Sequence, residues 1–434
     1  MTRLWCELAW LGGERAAERV LMELDGDRIA SVTADAEPPA DAERLPGLTL
    51  PGFANGHSHA FQRALRGRTH GGPGSFWTWR DQMYELAGTL DPDSYLPLTR
   101  ATFGEMALAG VTLVGEFHYL HHGPGGVPYE DPNAMGHAVL QAAAEAGMRI
   151  RLIDACYLRG GFRQEPDDVQ KRFADRDVDA WVERVNARAD AAAAIHSVRA
   201  VDPESAREVA SWAASRAAPL HAHVSEQPAE NEGCLAAHGL SPTALLSSID
   251  ALSEHFTAVH ATHLTEVDVD LLGNARATCC FCPTTERDLA DGIGPARTLH
   301  DAGARLSIGS DSHAVIDLLE EARAVELDER LATLERGNHP TVELLSAATA
   351  NGYRCLGFDD GGRIEPGALA DLVTIGLDSV RLAGTGAEHA LASVVFAGTA
   401  ADVRHVMVGG RFIVRDGAHV ELDVPHELAA AVGR

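Results

Sequence analysis

Apolar positions along the chain fall into two regimes. From residue 1 to about 50, short apolar stretches alternate with turn residues. Arg19-Val20-Leu21-Met22-Glu23-Leu24 runs into Asp25-Gly26-Asp27 and then Ile29-Ala30-Ser31-Val32, which predicts a strand, a hairpin turn and a partner strand. The same texture returns from residue 362 to about 420. Residues 370–375, Val394-Val395-Phe396, 403–408 and Arg411-Phe412-Ile413-Val414 read as strands, with Gly409-Gly410 as a turn. Between these ends, apolar runs of five to nine residues alternate with Ala-rich, charge-flanked stretches. Eight runs are found, near 48–55, 111–118, 148–156, 193–198, 217–224, 256–261, 275–281 and 304–310. Helices are predicted over 203–216, 241–252, 294–303 and 317–334. Continuous apolar strands alternating with helices predict a parallel sheet covered by helices, and eight such units predict a closed barrel.

The expected fold class is therefore α/β: a (β/α)₈ TIM barrel with a smaller β-sandwich domain formed from both chain ends. The expected divisions are 1–50 and 359–434 for the small domain and 51–358 for the barrel. A length of 434 residues, 45% of them hydrophobic, is enough for both. The formal net charge of −27 argues against nucleic acid or an anionic membrane as partner, though a local arginine cluster can still hold an anionic ligand. Seven cysteines, an odd number lying mostly in apolar runs, predict buried thiols in a cytoplasmic protein rather than a disulfide framework. No signal peptide and no membrane span are expected.

Chemistry-bearing residues gather at the predicted C-terminal ends of the strands, where TIM-barrel active sites lie. His57 and His59 follow the first strand. Two imidazoles at i and i+2 share a side and can grip one metal ion. The fifth strand carries His221-Ala222-His223, with Glu226 three residues on. His223 is favoured as ligand because it lies nearer the strand end, and His221 reads as a barrel-interior histidine. The sixth strand ends at His260, with His263 beyond it in the loop and read as structural. The eighth ends in Gly309-Ser310-Asp311, where Asp311 can ligate a metal and accept a proton from water. Imidazole and carboxylate ligands suit Zn²⁺, and also Fe²⁺ or Mn²⁺. Cys279-Cys280-Phe281-Cys282 has no second pair to complete a zinc ribbon, so it reads as a buried seventh strand.

These motifs resemble the amidohydrolase superfamily and, within it, the formimidoylglutamate deiminase family. The resemblance is carried by residues 51–63, Phe76-Trp77-Thr78-Trp79-Arg80, Glu116-Phe117-His118-Tyr119, His196-Ser197-Val198-Arg199, 223–227, 259–263, Cys282-Pro283-Thr284-Thr285-Glu286-Arg287 and 309–312. It implies a homodimer that hydrolyses N-formimidoyl-L-glutamate to N-formyl-L-glutamate and ammonia in histidine degradation. It implies metal ligation by His57, His59, His223 and Asp311, with Glu226, His260 and Asp311 catalytic. It implies substrate contacts from Gln62, Arg80, Tyr119, His196 and Arg199. Arginine suits a dicarboxylate, because its guanidinium pairs bidentately with carboxylates. The aromatic residues around Arg80 predict a partly enclosed loop. The nearest alternative is a deaminase of a ring amidine such as guanine, which calls for stacking aromatics and few cations.

Overall fold

The computed structural model describes residues 2–433. Two eight-stranded sheets organise the chain. The barrel strands are Phe53–Ser58, Val111–His118, Arg149–Cys156, Ala192–Ile195, Leu220–Val224, Phe256–His260, Thr278–Phe281 and Arg305–Ile308, each parallel to its sequence neighbours. An isolated parallel bridge from Ser58 to Asp311 joins the eighth strand to the first and closes the ring. The barrel is the one expected from the apolar runs. Most of its strand positions are buried, as a sheet covered on both faces requires.

The other sheet draws on both chain ends. Its order is Ala418–His419, Arg411–Arg415, Val403–Val408, Leu372–Ile375, Glu43–Pro51, Thr2–Ala9, Ala17–Asp25 and Arg28–Thr33. The two ends meet at its centre, where Leu372–Ile375 runs antiparallel to Glu43–Pro51. Side chains alternate between two cores, as strand geometry dictates. Leu45, Leu372 and Met407 join a small cluster with Leu4, Val20 and Met22. Leu48, Leu50, Val373 and Val406 face the other way, into the main core. Each such aliphatic side chain contributes roughly 1.5–3 kcal/mol on burial, so the central strands of this sheet are fastened to the barrel.

Two expectations are corrected. The apolar run 48–55 is two strands rather than one: Glu43–Pro51 belongs to the end sheet and Phe53–Ser58 to the barrel. Gly52 is the hinge. Its N–H bonds Asp371 of the end sheet, and a Cβ there would stand 2.2 Å from the Thr112 hydroxyl. His57 therefore lies within the first barrel strand rather than after it. Second, Val394-Val395-Phe396 is helical, within Ala390–Ala397. Its flanking alanines favour helix, and burial of Val394 and Val395 satisfies their β-branched side chains without a strand. No helix among the described residues is long and apolar enough to cross a membrane.

Candidate metal centre and active site

The eighth strand comes unusually close to the first. A Cβ on Gly309 would stand 2.7 Å from the His57 carbonyl oxygen, so only glycine permits the approach. The Asp311 N–H donates to the His57 carbonyl, and the His59 N–H to the Asp311 carbonyl. Asn55 fixes the crossing from the side, accepting from the Ser310 N–H at 3.0 Å and donating to Ser310 Oγ at 2.7 Å. The chain then turns sharply at the strand ends. Ser225, His260 and Asp311 have positive φ values of 53°, 67° and 42°. Non-glycine residues held there carry strain, and such strain clusters at functional sites.

These turns bring five side chains together. His57 Nε2 is 3.1 Å from Asp311 Oδ1 and 3.2 Å from His223 Nε2, and His59 Nε2 is 3.4 Å from Asp311 Oδ1. Possible ligand atoms of His57, His59 and Asp311 lie within 4.8 Å of one another, as do those of His57, His223 and His260. His59 Nδ1 donates to the Phe117 carbonyl and His223 Nδ1 to the His196 carbonyl, both at 2.9 Å. A carbonyl can only accept, so in each neutral ring Nε2 is left as a bare lone pair. Burial pushes the His57 imidazolium down to about 3 and holds His59 and His223 below the usual histidine range. Burial opposes ionisation of Asp311 as well, but the hydrogen bond and charge of His57, with His59 and His260, pull its carboxyl well below the ordinary range. The Nε2 atoms of His57, His59 and His223 and the ionised Asp311 carboxylate converge here, and His57 Nδ1 is buried without a partner. That donor set fits a divalent cation.

Glu226 stands beside this cluster, its Oε1 3.7 Å from His260 Nε2. Burial raises its pKa to about 7, with Asp311 adding to the rise and His260 opposing it. Burial works against a charge on His260, yet Glu226, Glu286 and Asp311 carry its pKa well above the usual value. A cavity opens from the centre. His59, His223, Glu226, His260 and Asp311 line its inner end, and Gln62, Tyr119, His196, Arg80 and Arg199 also line it. Gln62 Nε2 donates to the Tyr119 hydroxyl at 3.0 Å. Only His57 among the expected residues is not on the cavity wall; it lies beneath, fully buried.

Arg80 is on a helix, Phe76–Thr89, rather than the expected loop. Ser75 N–H donates to Thr78 Oγ1 at 2.9 Å and starts that helix, a local signal hidden behind the glycine-rich run before it. The guanidinium lies 4.8 Å from the Trp77 ring centre and 5.2 Å from that of Tyr84. His221 Nε2 bonds the Cys355 carbonyl and His263 Nε2 the Asp291 carbonyl, both structural contacts. Arg287 pairs with Glu320 and Asp328 on the surface. All seven cysteines are free and buried.

Several neighbours escaped the motif reading. Glu286 Oε1 lies 3.3 Å from His260 Nδ1 while accepting from the Cys282 N–H, although its segment was already singled out. Arg159, Tyr157 and Gln170 also line the cavity, and Gln170 Nε2 donates to both Tyr84 and Tyr157 hydroxyls. Tyr157 and Arg159 follow the third barrel strand and Gln170 opens a one-turn 3-10 helix, segments too short to carry a periodic signal.

A family model described as "Amidohydrolase family" matches residues 48–413. The chain is 37% identical to the formimidoylglutamate deiminase of Pseudomonas aeruginosa, over 96% of both chains. It is 30% identical to the 8-oxoguanine deaminase of the same organism, over 100% of this chain and 98% of the other. Among solved structures, an amidohydrolase from Brucella melitensis superposes with a TM-score of 0.92 at 31% identity, covering 100% of this chain and 99% of that one. A parallel eight-stranded barrel, converging histidines with a carboxylate at its strand ends, and these matches together mean that the chain belongs to the amidohydrolase family.

Proposed function

We propose that this chain hydrolyses N-formimidoyl-L-glutamate to N-formyl-L-glutamate and ammonia, a step of histidine degradation. The observation that carries the reading is one cavity lined by the metal-site residues and Glu226 together with the guanidinium groups of Arg80 and Arg199. A linear amidine bearing two carboxylates needs both kinds of group. The identity to a formimidoylglutamate deiminase supports the same substrate.

His57, His59, His223 and Asp311 would hold the metal, taken as Zn²⁺, with Fe²⁺ or Mn²⁺ as the other candidates. Such an ion, when bound, lowers the pKa of water to about 7. Water adds across the formimidoyl C=N bond and ammonia leaves. Asp311 takes the proton from the water oxygen, and the protonated His260 ring donates to the nucleophile and holds it in place. Glu226 can carry or release a proton near neutrality, and it delivers one to the imino nitrogen and then to the departing amine. Gln62, Tyr119 and His196 steady the substrate, and Arg80 and Arg199 bind its carboxylates. On this reading the protein is a cytoplasmic homodimer. Residues 51–358 are its hydrolase domain, and 1–50 with 359–434 are the small β domain.

A second reading, deamination of a ring amidine, draws on Phe76, Trp79 and Tyr84 in the same cavity wall and on the identity to an 8-oxoguanine deaminase. Ammonia release from formimidoylglutamate, guanine and 8-oxoguanine decides between them, run with the metal content measured. We expect turnover of formimidoylglutamate alone, abolished by a chelator and restored by a divalent ion. No release from it at high concentrations of metal-loaded enzyme ends the reading.

A further inference from the structure

Arg199 lies in the loop after the fourth barrel strand and reaches the cavity wall. Its Nε is buried and has no hydrogen-bond partner, and the nearest carboxylate oxygen is Glu230 Oε1 at 3.6 Å. Glu230 is stranger still. Only 1% of it is exposed, and neither of its oxygens accepts a hydrogen bond from the described residues. A buried, unbonded carboxylate is costly unless a cation faces it, and Arg199 is the cation within reach. Glu230 also follows Glu226 by four residues, in the first turn of the next helix. Gln227 is the N-cap of the helix Pro228–His238, Pro228 restrains its first turn, and the Glu230 N–H bonds the Gln227 carbonyl at 3.0 Å. The first turn of this helix therefore carries the carboxylate beside Arg199 and follows directly on the one beside His260.

We propose that Glu230 is a positioning residue for Arg199: it holds the Nε edge of the guanidinium, so that the terminal amine fork faces the cavity as a receptor for one substrate carboxylate. An arginine fork binds a carboxylate bidentately only when its plane is fixed, and a buried ion pair on the Nε edge fixes it without occupying the fork. The helix start then sets the distance between the proton-transfer group and the carboxylate receptor. This makes chain length between amidine and carboxylate a selected feature of the substrate. The inference rests on the proposed function for its substrate, and on geometry alone for the Glu230–Arg199 pair.

The test compares wild type with Glu230→Gln and Glu230→Asp on N-formimidoyl-L-glutamate and on two analogues, each lacking one of its carboxylates. Glu230→Gln should raise KM for the full substrate by roughly ten- to a hundredfold with a much smaller change in kcat, and Glu230→Asp should recover part of the loss. For the analogue lacking the carboxylate that Arg199 serves, Glu230→Gln should change kcat/KM by less than about threefold. An equal loss on all three substrates, or a loss in kcat alone, overturns the proposal. If Glu230→Gln does not fold, the same selectivity is read from Glu230→Asp. A readout independent of turnover is the Nε–H proton resonance of Arg199, assigned by its disappearance in Arg199→Lys. It should shift in Glu230→Asp, and an unmoved resonance sinks the pairing. Absence of wild-type turnover with a shifted resonance would instead remove the substrate and leave the pair standing.

Discussion

At the scale of single residues, the site works by opposing environments. Three histidines are kept neutral by burial while Asp311 stays ionised, so each offers the protonation state that a metal ligand needs. Glu226 is the exception, raised by burial to about 7 and so able to exchange a proton at working pH. Glu226→Gln keeps the shape and the ligand set but cannot transfer the proton. It should bind metal as wild type does and lose roughly 10²–10⁴-fold in kcat. Elemental analysis beside steady-state rates checks this, and near-full turnover with metal bound removes the assigned role. His57, His59, Glu226, His260 and Asp311 were legible in the chain because each falls within three residues of the end of a barrel strand. Glu286 and Glu230 were not, because what marks them is a partner 26 or 31 positions away, on a separate element.

At the scale of elements, the helix Val178–Asn186 docks on the third barrel strand through a buried ion network. Arg184 bonds Asp154 and Asp175, each at 2.7 Å, and Trp181 Nε1 bonds Asp154 at 3.2 Å. Burial disfavours the Asp154 carboxylate, but Arg184 with His121 pulls it down to about 2. A depressed carboxyl contributes stability above its unfolded value, about 3.9, and that contribution is lost as pH falls through about 2. Arg184→Met removes the shared cation, so that Asp154 keeps Arg188 at 3.8 Å and Asp175 keeps His122 at 3.1 Å. It should cost about 3–5 kcal/mol at pH 7. The cost should shrink toward pH 4.5, where the stranded carboxyls take up protons. Urea unfolding at both pH values measures it, and an equal loss at both contradicts the charge-based account. Nothing in the spacing of Asp154, Asp175 and Arg184 announces this network. Amphipathic pattern placed the neighbouring helices because that pattern is local, whereas charge pairing across a crossover is not.

At the scale of the whole molecule, Asp371 joins the two sheets. It is buried and accepts from Arg149 Nε at 2.6 Å, from the Tyr353 hydroxyl at 2.8 Å and from the Gly409 N–H at 2.6 Å. Arg149 begins the third barrel strand, at the end of the barrel away from the cavity, where residues serve stability rather than chemistry. Asp371→Ala should cost about 3 kcal/mol or more. Amide exchange should rise first in the end-sheet strand Val403–Val408, while ammonia release by the folded fraction holds within about twofold. A stability within about 0.5 kcal/mol of wild type would show that the joint carries no weight.

The chain by itself determined the barrel and the β-rich ends, and it singled out the histidines and carboxylates that the structure brings together. Continuous apolar runs and strand-end histidines are written in neighbouring residues, and parallel βα units close in few ways. Only the tertiary structure decided where the first barrel strand begins, since that depends on Gly52 meeting Thr112 and Asp371. It alone decided that Glu230 faces Arg199. The reason is the same in each case. Periodicity reports which face of an element is buried, but not what it is buried against, and the cavity that joins a metal centre to two arginines is made of contacts between elements distant in sequence.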